Sequence, residues 1–194
     1  MFAIFGLRRN SSAEPFRNET IAKTVVANLT QMQKTEEFIE NRIKWRASKH
    51  DLPNKNVHLF ENLTADKKAE YLTHFNENDC GKIILLFTDS KKYWTAIGTK
   101  KIIGFDGTNY NSVELNSIKD VDSKNRKEYF EKAEAGETKL KKIKKRNERE
   151  LLVTEFNGNE TIFITKKGSD LFSLWNIMLM ITQLNEKIPT DINN

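Results

Sequence analysis

Basic side chains are the residues of this chain whose types and spacing could do chemistry. The densest group is Lys139–Arg149, which holds seven basic residues and one acid. Because the formal net charge of the whole chain is +5, this run accounts for the excess of positive charge. Each lysine near an anionic bilayer contributes on the order of 1 kcal/mol to binding, and lysines can also neutralise nucleic-acid phosphates. The run therefore predicts contact with an anionic partner.

Three readings of this basic run remain open: a membrane surface, a nucleic acid and a solvated edge. Lysines on an exposed strand edge protect it against aggregation, so the run needs no ligand to explain it. Binding of single-stranded nucleic acid favours aromatic side chains among the charges, and Lys139–Arg149 has none, which argues against a nucleic acid. With the lysines of two predicted turns, the residues predicted for anionic contact are Lys91, Lys92, Lys100, Lys101, Lys139, Lys141, Lys142, Lys144, Lys145 and Arg146.

Catalytic and metal-binding patterns are much weaker. The spacings of His50, His58 and His74 with the single cysteine, Cys80, match no zinc pattern. A nucleophilic Cys80 would need an activating base and a lowered pKa, and nothing close in the sequence supplies either. The chain also contains no glycine-rich phosphate loop and no nucleophile elbow. We therefore expect a non-enzymatic protein without a metal or cofactor.

Composition indicates a cytoplasmic protein. Of the 194 residues 38% are hydrophobic and 30% charged, so a core is feasible beneath a polar surface. No apolar run approaches the roughly 18 residues that a membrane span needs. The beginning, Met1–Arg9, has its charges after its apolar residues, which is the wrong order for a secretory signal. One cysteine excludes an intrachain disulfide.

Hydrophobic spacing divides the chain into a helical part and a strand-rich part. Thr35-Glu36-Glu37 and Thr64 are predicted helix N-termini, and Phe38 to Trp45 continues an apolar face of the first of these helices. Helical spacing gives way to strand spacing at Asn76–Asp79. We therefore predict a helical region over residues 1–79 and a second domain over residues 80–194.

Short strands separated by turns dominate the second part. Lys82–Asp122 reads as four strands, and Asp106-Gly107 is a hairpin signal. Ile118 and Val121 are predicted to extend the pairing of the fourth strand. The predicted strands are Lys82–Phe87, Tyr93–Ile97, Lys101–Phe105, Tyr110–Leu115, Leu151–Phe156 and Thr161–Thr165.

One helix, Asp170–Leu184, closes the pattern. Its apolar residues cover more than one face, so more than one face must be buried. We expect one side to pack on the sheet and the other to pack on the N-terminal helices or on a partner. The sequence thus predicts an α+β fold.

This order of elements resembles the bacterial pleckstrin-homology-like (PH-like) superfold over about residues 80–187. The resemblance is carried by Thr99-Lys100-Lys101-Ile102 in a turn, by the spacing of Leu115, Ile118 and Val121, and by Trp175 in the last helix. It implies a seven-stranded antiparallel barrel or sandwich capped by a C-terminal helix. It also implies a binding or scaffold role towards lipid headgroups or peptides. A protein-interaction module that uses apolar helix faces is the alternative.

Overall fold

The computed structural model describes residues 35–90, 92–136 and 148–186. These residues form five α-helices and eight β-strands. In chain order the elements are α1 (Glu36–Ser48), β1 (Val57–Leu59), α2 (Ala65–Leu72), α3 (Glu77–Cys80), β2 (Ile83–Ser90), β3 (Tyr93–Gly98), β4 (Lys101–Phe105), β5 (Tyr110–Glu114), β6 (Ile118–Ser123), α4 (Lys124–Glu134), β7 (Glu150–Glu155), β8 (Glu160–Ile164) and α5 (Ser169–Glu186).

The strands form two antiparallel sheets. The larger sheet has the order β1-β2-β3-β4-β5, and the smaller one has the order β6-β7-β8. Each consecutive pair from β2 to β5 is a hairpin, as the alternating strand and turn signals predict. The α+β prediction is therefore confirmed. The predicted strand number needs correction, because the described residues form eight strands in two sheets that do not close into a barrel.

The step from the first sheet to the second was predicted wrongly. Ile118 and Val121 do not extend β5 but lie in β6, where Ile118 pairs with Glu155 of β7. A 3₁₀ turn over Leu115–Ser117 separates the two strands. Leu115 and Ile118, at either side of this turn, are both buried. Changing sheets at this point lets both side chains enter the same core.

The main core lies between the sheets and against α5. Leu174, Ile177 and Met178 of this helix are completely buried. Trp175 donates a hydrogen bond from Nε1 to the carbonyl oxygen of Val121 at 3.1 Å, which fixes the helix along β6. Buried residues of α1 join the same core from the other side of α5. The prediction that this helix is buried on more than one face is confirmed.

A second, smaller core lies on the outer face of the five-stranded sheet. Phe60, Phe75 and Cys80 pack there against Trp94 of β3. The residues before position 79 therefore contribute to both cores, and β1 forms the edge of the larger sheet. Described residues on both sides of the predicted domain boundary thus share one sheet. The rest of the predicted helical region, residues 1–34, lies outside the described residues.

Candidate anion-binding site

The turn between β2 and β3 lies beside the end of the basic run. Arg149 donates a hydrogen bond from Nη2 to Oδ2 of Asp89 at 2.7 Å. Its guanidinium also lies 4.7 Å from the ring centre of Tyr93. Because Asp89 and Tyr93 flank Lys91 and Lys92 in the sequence, these contacts anchor the last residue of the run next to the turn lysines.

Asn56 connects three elements at the same end of the molecule. Its carbonyl oxygen accepts a hydrogen bond from the backbone N–H of Thr88, at the end of β2, over 2.8 Å. Its side-chain Nδ2 donates to Oδ2 of Asp170 at 2.9 Å, and its Oδ1 accepts from Nζ of Lys166 at 3.4 Å. Asn54 donates to the other carboxylate oxygen of Asp170 at 3.0 Å. The start of α5 is thereby tied to the end of β2.

We name this region the basic end and define it by residues 49–56, the β2–β3 turn, Arg149 and residues 165–170. Four lysines of this end have no carboxylate oxygen within 4.0 Å of Nζ in the described part of the chain, and Lys92 is not counted among them. These four lysines are Lys49, Lys55, Lys166 and Lys167.

Most acids of the basic end present little charge to solvent. Asp89 is paired with Arg149. Asp170 is 3% exposed and receives hydrogen bonds from two side-chain amides. Glu148 is buried as well. Asp51 is the exposed acid, so the surface of this end is predominantly positive.

The opposite end of the sheet carries lysines that are neutralised. Nζ of Lys100 lies 3.2 Å from Oε1 of Glu36, and Nζ of Lys101 lies 2.8 Å from Oδ1 of Asp79. Lys82 pairs with Glu40 in the same way. We name this region the paired end and define it by residues 36–40, 79–82 and 98–101.

The ion pairs of the paired end also shift the pKa values of their members. Hydrogen bonds from the Thr99 hydroxyl and from Lys100 hold the pKa of Glu36 below its ordinary value. The hydrogen bond to Asp79 raises the pKa of Lys101. Both shifts favour the charged forms, so these charges are satisfied within the molecule and offer little to an external anion.

The lysines predicted for anionic contact therefore do not form a single group. Lys92 is exposed at the β2–β3 turn, whereas Lys100 and Lys101 lie at the other end of β3. A six-residue strand separates them, which is about 17 Å at the usual rise of a strand. Anionic contact by Lys100 and Lys101 stays a prediction, but these two lysines lie apart from the turn lysines and already have carboxylate partners. The remaining predicted residues lie outside the described ones: Lys91, Lys139, Lys141, Lys142, Lys144, Lys145 and Arg146.

Sequence reasoning missed most of the unpaired lysines. Lys49 and Lys55 are not part of a dense basic run, so a search for clustered charge does not find them. Lys166-Lys167 lies just before the first turn of α5. This position next to a predicted helix start was the sequence signal that could have indicated an exposed basic pair. A basic pair before a helix N-terminus lies at the end of an element, where solvent reaches it.

The histidines and the cysteine lie apart. His50 packs its ring on Phe172 at 5.7 Å, and His74 lies 2.8 Å from the Tyr110 hydroxyl through Nδ1. His58 lies on β1. Burial raises the pKa of the Cys80 thiol, which disfavours the reactive thiolate.

Neither a metal centre nor a membrane span is found among the residues that the structure describes. No three or more of their histidine, cysteine and acidic side chains are grouped so that they could hold a metal ion. None of their helices is both long and apolar enough to cross a membrane. Compared with protein-family models, with curated proteins and with solved structures, the chain matches none of them.

Proposed function

We propose that this chain is a non-enzymatic PH-like binding protein whose basic end contacts the anionic headgroups of a lipid surface. One observation carries the proposal. The lysines of the paired end are neutralised by carboxylates, whereas Lys49, Lys55, Lys166 and Lys167 at the basic end have no such partner among the described residues. Their charge is available to an external anion.

The order of elements supports the PH-like part of the proposal. The strands β2 to β5 follow one another in one antiparallel sheet, β6 to β8 form a second, and α5 comes last. This order of strands followed by a helix is compatible with the resemblance, although the two sheets do not close into a barrel, and Trp175 of the helix is hydrogen-bonded to Val121. The chain departs from the pattern by adding β1 as a fifth strand of the larger sheet.

The charge of the basic end fits an extended anionic surface better than a single enclosed anion. Lys49 and Lys55 lie in the segment between α1 and β1, and Lys166 and Lys167 lie in the segment between β8 and α5. Dispersed lysines add to membrane binding roughly independently, with about 1 kcal/mol for each one near the surface. Salt screens such contacts within a Debye length, about 10 Å at 0.1 M. We therefore expect binding that weakens steeply with ionic strength.

A protein-interaction module that docks a partner on apolar helix faces is the second candidate. The composition of α5 first suggested it, because the helix is apolar on several faces. Most of those faces are covered by α1 and by the two sheets. Phe172 is the large apolar side chain of α5 that remains exposed, which leaves little helix surface for a protein partner.

Vesicle co-sedimentation tests the proposed function. We expect the chain to sediment with vesicles of phosphatidylserine and phosphatidylcholine and to stay in solution with phosphatidylcholine alone. The double variant Lys166→Gln, Lys167→Gln should bind the anionic vesicles more weakly by about 2 kcal/mol, on the order of 30-fold.

The matched control is Lys100→Gln, Lys101→Gln, which removes the same charge from the paired end. We expect its vesicle affinity to stay within about threefold of the unmodified chain, because its lysines are already neutralised. Equal losses in both double variants would show that net charge alone drives binding and would contradict a role for the basic end. No sedimentation with anionic vesicles would remove the lipid proposal.

A further inference from the structure

Two exposed aromatic side chains lie next to the basic end. Trp45 of α1 is 46% exposed and Phe172 of α5 is 54% exposed. The apolar face predicted for α1 therefore does not include Trp45, since Ile43 and Ala47 face the core instead. Exposed aromatic rings beside unpaired lysines are a candidate surface for contact with a partner.

Both rings border the end of α1, because Trp45 lies near Lys49 and Phe172 packs on the adjacent His50. Arg46 of α1 donates from Nη2 to Oδ1 of Asn176 at 3.3 Å, and Asn176 lies one turn after Phe172 on α5. His50, one turn after Arg46, packs its ring on Phe172 at 5.7 Å. Residues four apart in a helix share a face, so Arg46 and His50 face Phe172 and Asn176. Trp45 lies beside this stripe on α1.

Two cations lie near the exposed ring of Trp45. The guanidinium of Arg42 lies 5.0 Å from the ring centre of Trp45, and Nζ of Lys49 lies 5.9 Å from it. Arg46 reaches the same surface through its contacts with Asn176. The backbone N–H of Phe172 donates to the carbonyl oxygen of Gly168 at 3.1 Å, and Gly168 directly follows Lys166-Lys167 in the chain. Aromatic rings bordered by cations complement the interface of an anionic bilayer, where tryptophan resides at the level of the headgroups.

We propose that Trp45 and Phe172 insert into the interfacial region of an anionic membrane while the lysines of the basic end hold the headgroups. This inference rests on the proposed function and deepens it, because it names a bilayer surface and orients the protein on it. The C-terminal end of α1 and the first turn of α5 face the lipid. The paired end and the β7–β8 turn then point away.

A fluorescent label tests the insertion directly. The variant Phe172→Cys is labelled with an environment-sensitive thiol dye, and the control is Phe156→Cys in the β7–β8 turn. Phe156 is 59% exposed, and its backbone N–H donates to Ser117, close to the start of β6 and away from the basic end. The native Cys80 is buried and labels slowly, because its pKa is raised. With anionic vesicles we expect a blue-shifted, brighter emission from the label at position 172 and an unchanged one at position 156.

Alanine variants measure how much the rings contribute. Trp45→Ala and Phe172→Ala should each weaken binding to anionic vesicles by about tenfold, because burying a large apolar side chain is worth at least the free energy of a tenfold change. The loss should persist at high salt, whereas the loss caused by removing Lys166 and Lys167 should shrink. Phe156→Ala should bind as the unmodified chain does. All three side chains are exposed, and unchanged thermal unfolding midpoints would verify that the variants fold.

The outcomes separate the inference from the proposed function. If the chain sediments with anionic vesicles but the label at position 172 reports no change, the insertion is wrong and the headgroup contact stands. If nothing sediments, both fail. If Trp45→Ala and Phe172→Ala leave vesicle affinity unchanged and instead dissociate a dimer seen by light scattering, the surface is a protein interface and the insertion is overturned.

Discussion

The paired end and the basic end carry the same Lys-Lys dipeptide in opposite electrostatic situations. Lys100-Lys101 meets Glu36 and Asp79, whereas Lys166-Lys167 meets no carboxylate within 4.0 Å among the described residues. The difference comes from residues 36–79. In this segment helix α1 begins with acids at the paired end, and the loop that follows α1 brings asparagines to the basic end. The same dipeptide is therefore neutralised at one end and unpaired at the other, because in the described part of the chain the fold places carboxylates beside only one of the two.

The largest expected effect is on the stability of the basic end. Asp170→Ala should lower the free energy of unfolding by about 2–3 kcal/mol, because the side-chain amides of Asn54 and Asn56 lose their acceptor in a buried site. Glu36→Ala at the paired end is the matched control and should cost less than about 1 kcal/mol, because its side chain is half exposed. Urea unfolding followed by circular dichroism measures both. Equal costs would contradict the view that the basic end is held together by a buried polar network.

A smaller effect is expected where the basic run joins the sheet. Arg149→Ala should cost about 1–2 kcal/mol of stability, since it removes the pair with Asp89 and the contact with the Tyr93 ring. Arg149→Lys keeps the charge but not the planar group that bonds and stacks, so it should recover less than half of the loss. Thermal unfolding at one pH compares the two variants. Full recovery by lysine would show that only the charge matters there.

Single lysine substitutions compare how much one lysine of each end contributes to stability. Lys101→Met should destabilise the protein by up to about 1 kcal/mol, because this lysine is only 17% exposed and lies near two acids. Lys167→Met should change stability by less than about 0.5 kcal/mol, because the side chain is exposed and unpaired. Unfolding at low salt measures the difference. A larger cost for Lys167→Met would mean that the basic end depends on that charge for folding.

The smallest effect expected is in the pH dependence. Burial is the main cause that lowers the pKa of His50 below its ordinary 6.5. The unfolded chain then binds the proton better, so stability falls as the pH drops below about 6.5. Hydrogen bonds lower the pKa of Glu36 below 4.5, and its contribution is lost only at still lower pH. Thermal unfolding midpoints between pH 7.5 and 5.5 should fall less in His50→Gln than in Glu36→Gln. The same slope in both variants would contradict a lowered pKa for His50.

Several elements followed directly from the amino-acid pattern. The helix predicted over Asp170–Leu184 forms over Ser169–Glu186, and the helix start at Thr35–Glu37 is confirmed by α1. These signals are local: acids at a helix start, apolar residues on every face, and a hairpin at Asp106-Gly107. Predictions from local patterns agree with the folded structure because these patterns depend on backbone geometry and on neighbours within a few residues.

Other features could not be predicted because they depend on distant partners. The switch of sheets at Leu115–Ser117 is decided by the core that both flanking strands share. By contrast, helical periodicity alone places Trp45 on the side of α1 opposite Ile43 and Ala47. Of the lysine-rich run, Glu148 and Arg149 lie among the described residues, and Arg149 belongs to the basic end. Lys49 and Lys55 joined it through the loop that Asn54 and Asn56 attach to α5.

What the sequence by itself determined is the succession of hairpins and the final helix, since spacing and turn chemistry specify them locally. Only the tertiary structure decided which of the described lysines lie beside a carboxylate and which do not. Glu36 and Asp79 come from segments more than 20 residues away from Lys101 and Lys100, and their approach depends on how α1 and α3 pack. The strength of a Coulomb interaction depends on the separation of the two charges in space, and the number of residues between them does not give that separation.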